Sequence, residues 1–544
     1  MLESTPTRVP LLWLLLPFSA GIALSAIASG WYAYVALPAC AISTALCCRF
    51  VNRSSLWSVL VCGAALSSGL AYATLTDSTR SPRSLLPSRE AELSISINRL
   101  FENETTRVRG FATVEKAPLH LSDLVGAHLY FSLYRTKELS SSTPLSLSST
   151  LKASGLVSPI SNRAIDRSGF EDYLKASGVS FQLSRGVVLE SKQSNGGWGN
   201  RFHAIQNWAH SALTRGIDSE SDASRSYVAM MLGKKSELNE DRKSLFLNSG
   251  ALHLFAISGL HIGIIAACGH ATLLILRFPR NWIPLPNLIL ILVFVLMTGG
   301  APSAWRALLM IACYYLCVAS KRQSASLNAL ALSALVCLLI NPQQLFLAGF
   351  QMSYATVSAI LLYGVPLSDT LNQRWALFPR LPRKAWSWRH ESIQKVCRFF
   401  IGSFAISLSA FIASSALSIA YFHTLPIAGI LANILLLPLA FLTIVAGFLA
   451  LGFATISAFP IVSLFNHAAQ VTLAIMHGIL EALSRLPRAF LSFDDPSSTA
   501  QLILLTLLLA FLLYAYDKQW RLPRLWLWTF PVFYPCACAI LGAL

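Results

Sequence analysis

Four polar or small residues interrupt an apolar run. Ser249–Ile265 reads SGALHLFAISGLHIGII, with His253, Ser258, Gly259 and His261 inside it or at its lip. Ionisable groups at such depth are costly and usually face a protein interior or water. On one straight helix the two histidines would stand about 80° apart and about 12 Å along the axis, too far for one metal ion. They are either packing histidines with hydrogen-bond partners or part of a pore-lining polar stripe. Gly259 and Gly263 have GxxxG spacing, which allows close helix approach. Ser258 and His261, three residues apart, could meet as nucleophile and base, but no carboxylate is near in sequence to orient them.

Other polar groups recur in apolar surroundings. Gly299–Met310 reads GGAPSAWRALLM, and Arg306 follows a Gly-Gly-Ala-Pro break. An arginine there either snorkels to the interface or sits in a wet cavity, and irregular backbone at that depth requires protein or water around it. Asn341–Tyr354 reads NPQQLFLAGFQMSY and places Gln351, Ser353 and Tyr354 early in an apolar run. These suit either interhelical hydrogen bonds or a polar path. Tyr421–Pro438 reads YFHTLPIAGILANILLLP, with Asn433 in apolar company and Pro438 poised to kink a helix. The stretch from Arg374 to Arg398 interleaves Trp375, Trp386 and Trp388 with basic residues. Nucleic-acid surfaces look like this, and so do cytoplasmic membrane boundaries.

The elements that must position these residues are membrane helices. The chain has 544 residues, 54% of them hydrophobic and 12% charged. Soluble proteins carry about 25% charged residues. Apolar runs long enough to cross a bilayer recur at 10–29, 31–48, 56–75, 251–276, 283–299, 303–320, 325–340, 345–366, 399–421, 427–452, 457–484, 498–516 and 524–544. The expected class is a polytopic α-helical membrane protein of about 13 transmembrane helices. The eleven cysteines all lie in or beside these runs, so no disulfide framework holds the water-facing part.

Charge sets the expected topology. The net charge is +17. With the N-terminus cytoplasmic, inner loops collect about 17 basic residues against about three outside, which obeys the positive-inside rule. That places residues 76–250 and the C-terminus outside.

Residues 76–250 form one long polar insert. Leu93–Ile97 and Ala127–Tyr134 alternate apolar with polar, Arg107–Val114 and Val187–Glu190 add strand-like runs, and Ser/Thr/Pro-rich stretches such as Ser140–Thr150 separate them. About five short strands are best housed in a small closed barrel, because closure removes exposed edges. An open sheet lying on the membrane is the alternative. From 201 the period becomes helical: Phe202, Ile205, Trp208, Ala209 and Leu213 recur at three- to four-residue spacing, and Tyr227–Gly233 and Glu240–Asn248 continue the pattern. Residues 201–250 are expected as amphipathic helices at the outer membrane surface. The expected organisation is 1–75 membrane helices, 76–200 barrel, 201–250 surface helices and 251–544 a membrane channel domain.

Five segments together are similar to the ComEC family of bacterial competence proteins: GFEDYLKASGVSF from Gly169, LHLFAISGLHIGI from Leu252, APSAWRALLM from Ala301, NPQQLFLAGFQMSYA from Asn341 and YFHTLPIAGILANILLLPLAF from Tyr421. The resemblance implies an inner-membrane route for transforming DNA, in which one strand enters the cytoplasm and the other is degraded outside. It implies an OB-fold-like outer domain. OB folds hold single strands through basic grooves and stacking aromatics. Phe101, Arg107, Arg109, Phe111 and Tyr130 are the candidates, with Phe131 and Tyr134 beside them; most of these rings would serve equally as barrel core. His253, Ser258, Gly259, His261, Arg306, Gln351, Ser353 and Asn433 would line or shape the path. Longer members of the family end in a metallo-β-lactamase-like domain. Here HxHxDH is absent and the sequence stops at Leu544. The expectation is therefore a channel without the family's hydrolase domain and without a cofactor; whether the barrel itself cleaves DNA stays open. Its partners would be single-stranded DNA, the lipid bilayer, a periplasmic DNA receptor and a separate nuclease. A cytoplasmic ATP-driven motor or single-strand-binding protein completes the set, since no P-loop GxxxxGK[ST] occurs. The alternative is a small-molecule transporter, which broken helices and intramembrane polar groups also suit.

Overall fold

The computed structural model describes residues 11–25, 54–80, 87–103, 107–135, 149–160, 169–192, 198–234, 246, 252–255, 257–320, 325–375, 377, 386–485, 491–494, 496–518 and 524–543. The expected run at 31–48 and most of 235–251 lie outside the described residues. The chain divides into two units, one of residues 12–211 and 335–347, the other of 1–11, 212–334 and 348–544.

The first unit opens with α1 (Leu12–Ser25) and α2 (Ser54–Arg80). They pack backbone to backbone. A Cβ at Gly21 would lie 2.0 Å from the Leu66 carbonyl oxygen, and one at Gly69 would lie 2.2 Å from that of Phe18. Only hydrogen fits at either place.

A closed five-stranded barrel follows, in the order β1-β2-β3-β5-β4. Its strands are β1 (Arg89–Asn103), β2 (Arg107–Lys116), β3 (His128–Arg135), β4 (Thr150–Pro159) and β5 (Phe181–Lys192). β3 and β5 run parallel, and the other neighbours are antiparallel. Period-2 alternation builds the interior: Leu93, Ile95, Ile97, Val108, Ala112, Leu129, Phe131, Leu133, Leu151 and Leu183 are buried together. Each large side chain there contributes about 1.5–3 kcal/mol by leaving water. β4 was not among the strand-like runs in the sequence, because Ala153 and Gly155 blunt its alternation. Those small residues let β4 cross β5: a Cβ at Gly155 would lie 2.9 Å from the Gly186 Cα. A short helix, α3 (Gly169–Ala176), lies between β4 and β5 and packs on the outside of the barrel. α4 (Trp198–Leu213) follows.

The second unit is helical. Its helices are α5 (Asp222–Leu232), α6 (Gly259–Ile275), α7 (Pro284–Met297), α8 (Pro302–Ala319), α9 (Ala325–Ile340, shared between the units) and α10 (Ala348–Ala359). A π turn at Ile360–Gly364 joins α10 to α11 (Val365–Arg374). Then come α12 (Trp388–Phe422), α13 (Gly429–Thr455), α14 (Phe459–Ser484), α15 (Ser498–Asp517) and α16 (Arg524–Ala543). In the described residues of the whole chain, seven helices are long and apolar enough to cross a membrane, and five further apolar helices are shorter. Leu442, Leu464, Val471 and Leu507 stand exposed on them, as lipid-facing side chains must. The protein is therefore mostly helical and membrane-embedded, with a β-barrel inserted. α13 continues through Pro438 as one helix.

Two expectations are corrected here. The run 251–276 is not one helix: a separate 3-10 turn covers Leu252–Phe255, and α6 begins only at Gly259. Ser258, with φ −111 and ψ 168, is extended and caps it. The second concerns the surface helices. α5 is buried at every position from Ala223 to Leu232 except Arg225, instead of lying on a surface. Its polar groups are met by α14: Tyr227 Oη donates to Asn466 Oδ1 at 3.2 Å, Gln470 Nε2 donates to Ser221 Oγ at 3.1 Å, and His477 Nε2 lies 3.1 Å from Ser226 Oγ. Matched in this way, the polar face can be buried as readily as the apolar one.

Candidate functional site

The barrel carries one chemically distinctive face, made by β1, β2, β3 and α3. On β2 the inward Val108, Gly110 and Ala112 alternate with outward Arg107, Arg109 and Phe111. On β3 the outward set is Tyr130, Ser132 and Tyr134. A register shift between Ile97 and Arg99 turns Arg99 outward, opposite Phe111. All five sequence candidates, Phe101, Arg107, Arg109, Phe111 and Tyr130, therefore share this face. Phe131 does not: it is fully buried in the barrel core, as its one-residue offset from Tyr130 requires.

Arginines and rings are interleaved there. The Arg99 guanidinium lies 5.2 Å from the Phe101 ring centroid, and that of Arg107 lies 5.5 Å from Tyr134. Arg107 also donates from Nε and Nη2 to Ser132 Oγ, at 3.3 and 3.1 Å. Phe101 meets Phe111 edge to face at 4.7 Å. Burial pushes the Arg99 guanidinium below its ordinary value, and the neighbouring Tyr173 opposes that shift. An arginine starts so high that it stays charged near neutrality. Fixed cations beside half-exposed rings can bind phosphates and stack bases. Arg99, Phe170 and Tyr173 were missed from sequence. Arg99 depends on the register shift, and the two rings sit three residues apart on α3, where they read simply as an amphipathic turn.

In the helical unit, segments far apart in sequence are joined by polar contacts. The Ser258 N–H donates to His261 Nδ1 at 3.4 Å, and its hydroxyl lies 2.9 Å from the same nitrogen. Nδ1 thus accepts from the Ser258 backbone N–H, and the pair caps α6. His261 is fully buried. Ser303 Oγ donates to the Ile257 carbonyl. Arg306 is only 8% exposed, so it does not snorkel; its Nη2 donates to the Gly349 carbonyl at 2.8 Å. Gln351 Oε1 accepts from Tyr421 Oη at 3.0 Å, and Tyr354 Oη donates to Ser333 Oγ at 3.3 Å. Ser353 is half-buried on the same turn of α10.

Not every candidate joins this chain of contacts. Asn433 is half-buried on α13, outside it. His253 lies in the 3-10 turn, and its side chain is outside the described residues. The GxxxG pair does not make a close contact among the described residues. A Cβ at Gly259 would meet only Ala307, at 3.9 Å, and one at Gly263 would meet nothing within 4 Å among the described residues. The close approach on α6 is at Gly269, where a Cβ would lie 2.4 Å from Asn287 Oδ1. Asn287, missed in the sequence, donates to the Ala266 carbonyl at 3.0 Å and to Tyr315 Oη at 2.8 Å. His270 Nδ1 lies 3.3 Å from the same hydroxyl. A lone Asn in an otherwise apolar helix was the available signal.

Comparison with known proteins gives a consistent picture. A family model described as Competence protein matches residues 230–518. The chain is 35% identical over 134 residues to ComE operon protein 3 of Bacillus subtilis, covering 25% of this chain and 17% of that protein. It is 20% identical over 219 residues to Recombination protein 2 of Haemophilus influenzae, covering 39% of this chain and 26% of that protein. The chain thus matches well under two thirds of either relative's length. No solved structure gives a significant match. The family model spans more than half of the sequence, from the end of α5 to the end of α15, and on that ground the chain belongs to the competence protein family.

Proposed function

We propose that this chain conducts single-stranded DNA across the bacterial inner membrane during natural transformation, with the barrel as an OB-like strand-binding domain. The observation that carries the reading is the barrel face on which Arg99, Arg107 and Arg109 are set among Phe101, Phe111, Tyr130 and Tyr134. Backbone phosphates need fixed cations, and bases of any sequence stack on rings. Membership of the competence family, with relatives named for a competence operon and for recombination, supports a role in DNA uptake.

In this reading the N-terminus is cytoplasmic, and the barrel and C-terminus face outward, where DNA arrives. Arg306 supplies fixed charge near the path, and its bond to Gly349 holds α8 against α10. His253, Ser258, Gly259, His261, Gln351, Ser353 and Asn433 line or shape the route. A separate nuclease degrades the other strand, a periplasmic receptor delivers DNA, and a cytoplasmic motor or single-strand-binding protein draws it in.

The test is uptake of labelled DNA in a deletion strain complemented with wild type or Arg306→Ala, at matched protein levels. The expected result is surface binding without import in the deletion, with Arg306→Ala at least tenfold below wild type. Normal import in the deletion would remove the reading and leave a small-molecule transporter as the better one.

A further inference from the structure

The barrel's outward rings form two layers, and the outer layer comes from α3. Tyr130 is only 6% exposed and lies beneath it, with Ile160, Leu174 and Val179. A base cannot reach Tyr130 directly. Above it, three rings form a column: Phe111 and Tyr173 are stacked with centroids 6.3 Å apart and planes 24° apart, and Tyr173 and Phe170 with 6.2 Å and 25°. Phe170 ends the column. Tyr130 holds it edge to face at 5.1 Å, yet it is 48% exposed. A phenyl ring locked by two neighbours and half open to water is an unfavourable surface unless something covers it, and its fixed orientation lowers the ordering cost of stacking. Phe101, 42% exposed, and Tyr134, 50% exposed, flank the same face, with Arg99 and Arg107 against them.

We infer that Phe170 of α3 is a base-stacking residue, the outermost ring of a pre-formed column that receives an unpaired base, with Tyr173 as the residue that sets its plane. The inference rests on the strand-binding reading above and adds to it an element outside the barrel strands. It also makes the face selective for single strands, because a base inside a duplex has both faces stacked against its neighbours. Tyr130 then acts as a support and not as a contact.

The test uses the full-length protein in lipid nanodiscs and a labelled oligo-dT of about 15 nucleotides. A second oligonucleotide carries 2-aminopurine, whose fluorescence is quenched by stacking. Phe170→Leu keeps apolar contact with Tyr130 but removes the π-face, and Phe170→Tyr restores it. Phe170→Leu is expected to bind about five- to tenfold more weakly and to lose most of the 2-aminopurine quenching. Its salt dependence and unfolding midpoint should match wild type, since phosphate contacts and packing remain, and Phe170→Tyr should bind as wild type does. Wild-type affinity and quenching in Phe170→Leu, while Phe101→Ala is weakened, would overturn this inference and leave the strand-binding reading standing. A weakened Phe170→Leu with a lowered unfolding midpoint and no rescue by Phe170→Tyr would also overturn it, assigning the ring to packing. Failure of wild type to bind either oligonucleotide would remove both.

Discussion

At the scale of single residues, the barrel face separates two kinds of contribution. A guanidinium that neutralises a phosphate releases a counterion, so Arg107→Ala is expected to lower the slope of log affinity against log salt by about 0.7 for single-stranded DNA. Phe101→Ala should lower affinity about tenfold and leave that slope unchanged. A salt titration of oligo-dT binding checks both. The cations are arginines, and burial moves Arg99 downward from a very high starting point, so binding should be flat between about pH 6 and pH 9. A mid-range inflection would show that a different group carries the charge. The alternation of Arg107, Arg109 and Phe111 made their common face legible in the sequence. Phe131 could be read either as a face ring or as core, because it neighbours Tyr130 in an aromatic run and only the strand register tells which of two adjacent rings points inward.

At the scale of elements, a polar stripe fixes a buried helix. Asn466 on α14 accepts from Tyr227 and donates to the carbonyls of Ala212 and Arg215, each at 2.9 Å. Asn466→Leu leaves the buried Tyr227 hydroxyl without its acceptor and takes a donor from the Ala212 and Arg215 carbonyls, which should cost about 2 kcal/mol, read as a fall in the unfolding midpoint in detergent. Barrel closure makes a matching demand. Gly155→Ala would push a methyl against the Gly186 backbone, and overpacking of this kind costs about 1–3 kcal/mol. Limited proteolysis should then release the barrel region at lower temperature than in wild type. Strands with strong alternation were readable from sequence. The strand Thr150–Pro159 was not, because the residues that permit its close crossing are too small to mark an inward face. The burial of α5 was equally hidden, since its seryl and tyrosyl groups read as a wet face until Asn466, Gln470 and His477, more than two hundred residues later, are seen to meet them.

At the scale of the whole molecule, the charge asymmetry of the loops predicts that the barrel is extracytoplasmic. A cysteine placed at the exposed Ser191, in a chain whose native cysteines are replaced, should react with a membrane-impermeant maleimide in spheroplasts without permeabilisation. Labelling only after permeabilisation would invert the topology. The polar contacts linking Ile257 to Ser303, Arg306 to Gly349 and Gln351 to Tyr421 join segments that are separate in sequence into one set.

The sequence by itself determined the membrane class, the apolar helices and most of the strand-forming stretches that the fold closes into a barrel. These follow from hydrophobic run length and from period 2 or 3.6, which are local properties. It also held the motif segments that place the chain in its family. Tertiary structure alone decided that Arg306 is buried against a carbonyl, that Ser258 and His261 form a cap, that Gly259 and Gly263 make no tight contact among the described residues, and that α3 covers the barrel's aromatic face. Each of those depends on which partner a group meets across the fold, and hydrogen bonds, ring stacking and close packing act over a few ångströms between residues whose separation in sequence carries no record of it.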